Sequence, residues 1–262
     1  MIVKTLLDTD LYKFTTSYAY IKLFPYAMGT FSFNDRNETK YTEAFLETLK
    51  AEIKNLSQLR FTEEELEYMT KNCRFLPRVY WEWLSSFRFD PNKIDIHLDE
   101  ACHLHIEVTD LLYKVTLYEV PLLAIVSEIK NRFFGHVADM NGILCKLSEK
   151  IELSNQHQLR FSEFGTRRRF SIDVQETVIK RLCNCCNCIG SGCVLCRHIS
   201  SKTAQNEYSS GYPQLYEAMA FIFCIHNNYL ILYLLFISDV VNLFINVIIR
   251  KETWERHLAA AD

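Results

Sequence analysis

The sequence predicts an α/β fold, and three observations carry that expectation. Several stretches repeat apolar residues at helical spacing, others alternate apolar with polar residues, and the two kinds interleave along the first 182 residues. The composition is globular: 262 residues, 49% hydrophobic and 23% charged, with a net charge of -3. That length suits one large domain or two modest ones. The mild acidity argues against broad nucleic-acid binding, which needs a basic surface. The opening MIVKTLLDTDLYKF has no long apolar run and no small-residue cleavage site, so no signal peptide is expected.

The elements follow in order. TDLYKFTTSYAYIKLF places Leu11, Phe14, Tyr18, Ile21 and Leu23 near helical spacing, and Pro25 stops the helix. GTFSFNDRN alternates Phe31 and Phe33 with small or polar residues, a strand. YTEAFLETLKAEIKNLSQL is an amphipathic helix with Phe45, Leu49, Ile53 and Leu56 in one stripe. Thr62, followed by three glutamates, opens another, because acidic side chains suit the positive N-terminal end. PRVYWEWLSSF is a further, aromatic helix expected in the core. KIDIHLDE and CHLHIEVTD alternate cleanly, two strands joined by an acidic turn; His97, His103 and His105 in that hairpin receive no role. LLYKVTLYEVPLLAIVSEIKNRFF is expected to begin extended and turn helical at about Pro121. Residues 137 to 153 read as a helix and LRFSEF as a short strand. Ser171 caps a helix carrying Val174, Val178, Ile179 and Leu182 on one side.

Beyond Leu182 the character changes. Six cysteines, Cys183, Cys185, Cys186, Cys188, Cys193 and Cys196, crowd into fourteen residues. Without secretion they do not predict a disulfide framework. Residues 203 to 249 contain no lysine or arginine, and residues 229 to 249 imitate a membrane span broken by Asp239, Asn242 and Asn246. A boundary is placed near residue 183. The expected divisions are 1–135 for an N-terminal domain, 136–182 for a linker helix and the start of a second domain, and 183–262 for an atypical, poorly structured tail.

FGTRRRFS, residues 164 to 171, holds Arg167, Arg168 and Arg169 side by side where a strand hands over to a helix. Sheet proteins of this class bind ligands at the carboxyl ends of strands. Arginine's planar fork suits carboxylates and phosphates, Gly165 allows close backbone approach, and Phe164 can stack on a flat ring. The alternative is a surface cluster paired with acids such as Asp173 and Glu176. Asp8 and Asp10 either orient a site or cap the helix that follows them. Arg36, at a strand end, either contacts phosphate or lies on the surface.

FGTRRRFS with the following DVQETVIKRL resembles the nicotinate phosphoribosyltransferase family. So do LLDTDLYKFTTSYAY, FSFNDRN, LSSFRFDP and LYEVPLLAIVSE, in the family's order, over residues 5 to 182. The resemblance implies an N-terminal α/β (α+β) domain followed by the first part of a type II phosphoribosyltransferase α/β barrel. It implies a cytoplasmic homodimeric enzyme of NAD salvage that joins nicotinate to 5-phosphoribosyl 1-diphosphate, using ATP and Mg2+. By the same resemblance, Tyr12 reaches into the partner subunit and stacks on the pyridine ring, Phe164 covers the other face, and Arg167 holds the anionic groups with Arg169 nearby. Without the resemblance, Tyr12 reads as a core tyrosine.

The resemblance breaks after KRL. The family's Gly-Thr-Ser-Asn segment, its phosphorylated histidine and its acidic Mg-binding positions are not found, and neither His198 nor His226 has the neighbours of that histidine, so no catalytic residue is assigned. A barrel left open has exposed edges. The expectation is a shifted reading frame near residue 183: CRHIS, read one base later, can give Ala-Gly-Thr-Ser. The chain is then expected to be truncated or frameshifted, with little or no activity of its own. Three other readings stand beside it. One is a non-catalytic dimer subunit. Another is a zinc site from Cys193, Cys196, His198 and Cys185 or Cys188. The third is a membrane anchor over residues 229 to 249, against which Asp239 argues.

Overall fold

A computed structural model describes residues 1–203 other than Arg36, Arg160 and Cys186. In chain order these form α1 (Leu11–Leu23), β1 (Met28–Ser32), α2 (Glu43–Lys54), α3 (Glu63–Asn72), α4 (Arg78–Ser86), β2 (Ile94–Leu98) and β3 (Leu104–Leu111). Then come α5 (Leu112–Phe133), α6 (Met140–Gln156), β4 (Phe161–Glu163), α7 (Ile172–Leu182), β5 (Cys188–Ser191) and α8 (Val194–Thr203). A single 3-10 turn, Thr166–Arg168, lies between β4 and α7. The fold is a mixture of helix and strand, as the periodicities predict.

The first sheet is antiparallel in the order β1-β3-β2. β3 alternates strictly, with Leu104, Ile106, Val108 and Asp110 buried and the residues between them exposed, so one face lies on the core and the other meets water. Asp110 is the polar member of the inner set, and Lys93 supplies its partner at 2.6 Å. Register is set by direct pairs such as Phe31 with Val108 and Ile96 with Ile106.

Helix starts follow their local chemistry. Thr62 and Glu65 form a complete capping box at α3, and Ser171 accepts the Val174 N–H at the start of α7. α2 buries Phe45, Leu46, Leu49 and Ile53 as one stripe.

α5 corrects one expectation. It begins at Leu112, not at Pro121, and carries Pro121 in its interior. The alternation of Tyr113, Val115 and Leu117, which imitates a strand, is part of a helix enclosed nearly all round: Leu112, Val115, Leu117, Tyr118, Val120, Leu122, Ala124, Ile125, Val126 and Ile129 are buried. An interior proline costs about 3 kcal/mol or more. Each large apolar side chain withdrawn from water contributes about 1.5–3 kcal/mol, so burial along this helix outweighs the one lost hydrogen bond.

Regular structure continues past residue 183. β5 pairs with β4 in parallel, and α7 is the connection between them, a strand–helix–strand unit. α8 then packs back on the N-terminal segment through Val194 N–H to the Thr9 carbonyl at 2.9 Å and Leu195 N–H to the Leu7 carbonyl at 2.8 Å. Cys193, Val194, Leu195 and Cys196 join the main core. Sequence reasoning placed no element here, because CNCCNCIGSGCVLC has neither an apolar stripe nor a clean alternation. The apolar stretch 229–249 and the rest of the chain after Thr203 lie outside the described residues. Among the described residues, no helix is long and apolar enough to cross a membrane.

Candidate functional site

The start of α1, the turn after β4 and the loop between β5 and α8 meet at one place. Asp10 and Cys193 form an isolated antiparallel bridge, and Leu11 N–H donates to the Gly192 carbonyl at 3.0 Å. Gly192 N–H in turn donates to the Glu163 carbonyl at 2.8 Å. A methyl group on Gly192 would lie 2.9 Å from Asp10 Oδ1 and 3.0 Å from the Phe164 ring, so a larger residue here would displace one of those side chains. The Glu163 carboxylate accepts the Gly165 N–H and the Ser191 hydroxyl, tying the turn after β4 to the end of β5.

Tyr12, on the first turn of α1, lies beside Phe164, with ring centroids 6.5 Å apart and planes tilted by 38°. Phe164 is 46% exposed, which leaves one flat aromatic surface open to solvent at this junction. The two rings meet within one chain, whereas the resemblance implied a pair completed by the partner subunit. Arg167 Cζ stands 5.8 Å from the Tyr12 ring centroid and Lys13 Nζ stands 4.8 Å from it. Tyr12, Phe164 and Arg167 therefore meet within one chain.

Charge is balanced around them. Lys13 pairs with Glu119, and Arg167 Nη1 reaches the other Glu119 oxygen at 3.1 Å. Arg167 Nε lies 3.6 Å from Asp10 Oδ2. Asp10 Oδ1 accepts the Thr166 hydroxyl at 2.8 Å, and Thr166 accepts from Gln175 at 3.2 Å. Asp10 Oδ2 has no hydrogen-bond partner although it is fully enclosed. Burial raises the Asp10 carboxyl above its ordinary range, against the opposing pull of Thr166 and Arg167. Burial works against the charge on Arg167, but Tyr12, Glu119 and Asp10 outweigh it and hold the guanidinium charged. Burial also pushes the Tyr12 hydroxyl up.

The three arginines have three different fates. Arg168 is exposed. Arg169 is enclosed, with both terminal nitrogens on Asp8, the Nη2–Oδ2 contact at 2.9 Å, and Nε on Glu128 at 2.7 Å. All three of its guanidinium nitrogens donate to carboxylates of its own chain, which joins α1's leader, α5 and the turn before α7. Glu128 also accepts the Ile172 N–H at 3.1 Å, and burial lifts its carboxyl despite Arg169. The surface pairing with Asp173 and Glu176 does not occur: the acids are Asp8, Asp10, Glu119 and Glu128. Neither Asp8 nor Asp10 caps α1 through its side chain.

Sequence reasoning missed Lys13, Glu119, Glu128 and Thr166. A signal existed for two of them: Glu119 and Glu128 interrupt an otherwise apolar helix, and a carboxylate enclosed there needs a cation. Arg36 lies outside the described residues. His198 is enclosed, stacked on Tyr68 at 4.5 Å, with Glu64 at 3.6 Å, so it packs α8 against α3. Among the described residues, no group of three His, Cys, Asp or Glu side chains is arranged to hold a metal ion, and the zinc arrangement gains no support.

Residues 7–127 match the family model of the nicotinate phosphoribosyltransferase (NAPRTase) N-terminal domain. A nicotinate phosphoribosyltransferase of Chromohalobacter salexigens is 36% identical over 182 residues, covering 69% of this chain and 46% of the relative. One from Methanosarcina acetivorans is 35% identical over 197 residues, covering 69% of this chain and 49% of the relative. The crystal structure of nicotinate phosphoribosyltransferase from Porphyromonas gingivalis superposes with a TM-score of 0.74 at 41% identity, over 76% of this chain and 52% of that one. The chain thus spans about half the length of the curated relatives it matches.

Proposed function

We propose, on the premise that the N-terminal part of this chain belongs to the nicotinate phosphoribosyltransferase family, that the junction of α1, β4 and α8 binds nicotinate for transfer of a phosphoribosyl group from 5-phosphoribosyl 1-diphosphate. The single observation that carries this reading is the meeting of Tyr12, Phe164 and Arg167: two rings and a guanidinium held charged in a half-buried corner. A flat heteroaromatic acid is complementary to that set, with ring faces for the pyridine and a planar fork for its carboxylate. To bind a carboxylate, Arg167 must exchange part of its contact with Glu119 for the ligand, and Lys13 remains to neutralise Glu119. The nitrogen of bound nicotinate is the nucleophile; the bond it forms to the ribosyl carbon replaces the one to diphosphate, which leaves.

β4 and β5, parallel and joined through α7, are the kind of unit from which an α/β barrel is built. The family's dimer and a cytoplasmic setting belong to the same reading. Gly192 follows the end of β5 against Phe164 and Asp10, and the Ser191 hydroxyl donates to Glu163. The ATP and Mg2+ of the resemblance belong to the same reading; among the described residues no group of three His, Cys, Asp or Glu side chains is arranged to hold a metal ion.

The test is direct. The full chain is titrated with nicotinate by calorimetry, then incubated with nicotinate, 5-phosphoribosyl 1-diphosphate, ATP and Mg2+ while nicotinate mononucleotide is followed by chromatography. Saturable nicotinate binding abolished by Arg167→Met supports the site. No binding at millimolar nicotinate overturns it. Product formation by the chain alone would overturn the expectation of little intrinsic activity.

A further inference from the structure

Cys193 and Cys196 stand three residues apart at the beginning of α8. The Cys193 carbonyl already accepts the Arg197 N–H at 3.3 Å, so both cysteines belong to one helical turn. Side chains three apart on such a turn have Cβ atoms about 5–6 Å apart. A disulfide needs about 3.5–4.5 Å, so a modest tightening of the turn joins them. Both side chains are enclosed, Cys193 0% and Cys196 1% exposed. The hydrogen bond to Cys196 and, after it, burial hold the Cys193 thiol well above the ordinary thiol range. Cys196, on the first turn of a ten-residue helix, lies near its positive end and is the attacking sulfur.

The geometry points to Cys193 and Cys196 as a dithiol site that a small-molecule disulfide converts reversibly to an intrachain disulfide. Cys196, as thiolate, attacks one sulfur of the small disulfide; that S–S bond breaks, and the departing thiolate takes up a proton. Cys193 then loses its proton and attacks the Cys196 sulfur of the mixed disulfide, expelling the second small thiol. The protein has lost two hydrogens and the oxidant, reduced to two thiols, has gained them. The reaction passes through release of the α8 start from Leu7 and Thr9, whose carbonyls hold Leu195 and Val194. It is accordingly slower than reaction at the exposed Cys102 and Cys145. Gly192, the residue before the pair, touches Asp10 and Phe164, so closing the bond moves one wall of the candidate site. That consequence rests on the nicotinate reading; the disulfide does not.

The experiment incubates the reduced full chain with oxidised glutathione, quenches with acid, alkylates, and maps every cysteine by fragmentation mass spectrometry. The expected result is a Cys193–Cys196 bond that appears after Cys102 and Cys145 have each taken up one glutathione. In Cys193→Ser the reaction should stop at a glutathione mixed disulfide on Cys196. The proposal is overturned if Cys193 and Cys196 stay free once the exposed cysteines have fully reacted, or if either bonds instead to Cys183, Cys185, Cys186 or Cys188. Because no ligand is present, a failure here leaves the nicotinate site untouched, and failure of nicotinate binding leaves this map untouched.

Discussion

Arg167 and Arg169 are two positions apart, yet they occupy opposite kinds of environment. Around Arg169 each guanidinium nitrogen donates to Asp8 or Glu128, and the side chains are about 1% exposed. Around Arg167 the pairing is looser: one contact at 3.1 Å to a glutamate already held by Lys13, another at 3.6 Å to Asp10, and the Tyr12 ring centroid 5.8 Å away. The difference teaches how one short motif does two jobs. A guanidinium locked into a buried bidentate pair organises the chain around it. One with a shared, replaceable partner can exchange it for a ligand.

The sharpest way to break this comparison is Arg169→Met. It strands Asp8 and Glu128 without their cation, and losing one member of a buried ion group costs about 3–5 kcal/mol. Urea unfolding should show that loss; a change under 1 kcal/mol would mean the pair is not load-sharing. Replacing Asp8 and Glu128 by Asn and Gln in the same chain should recover much of it, since the uncompensated charges are then gone.

Arg167→Met should cost less in the same unfolding assay, about 1.5–3 kcal/mol for one charge-assisted hydrogen bond, because Lys13 still neutralises Glu119. Its larger effect should fall on nicotinate binding. Were the two variants equally destabilising, the contrast between them would collapse.

Phe164→Ala removes a half-exposed ring, so stability should move by no more than about 0.5 kcal/mol. Nicotinate affinity should fall about three- to tenfold, the worth of one aromatic contact of about 0.5–1.5 kcal/mol. An unchanged dissociation constant in calorimetry would remove Phe164 from the site.

The smallest effect is expected at the exposed hairpin, a third setting for charge. The His103 backbone N–H first, then the His105 side chain, hold Asp99 down from 3.8 to about 2. A depressed carboxyl contributes stability above its unfolded value and loses it as pH falls through its folded value. Asp99→Asn should therefore unfold at a slightly lower temperature than the parent above about pH 4, with the gap closing toward pH 2. A gap that persists or widens at pH 2 would contradict the assignment.

Much of the fold was legible because it rests on short-range rules. Thr62 with Glu65, Ser171 with Val174 and the stripe of α2 are interactions between residues three or four apart. The aromatic members of the site, Tyr12 and Phe164, could be named from their motifs. α5 was misjudged at its start because enclosure on all sides erases the polar face that marks a helix, and β5 and α8 were missed because cysteine and glycine carry little periodicity.

By itself, then, the sequence determined the alternation of helix and strand, their caps, and the family resemblance of the first 182 residues. Tertiary structure alone decided which arginine is enclosed between Asp8 and Glu128 and which shares Glu119 with Lys13. It also placed Cys193 and Cys196 on one helical turn beside the site. The physical reason is separation along the chain: Asp8 and Arg169 are 161 residues apart, and no local pattern announces a partner that only folding brings within hydrogen-bond distance.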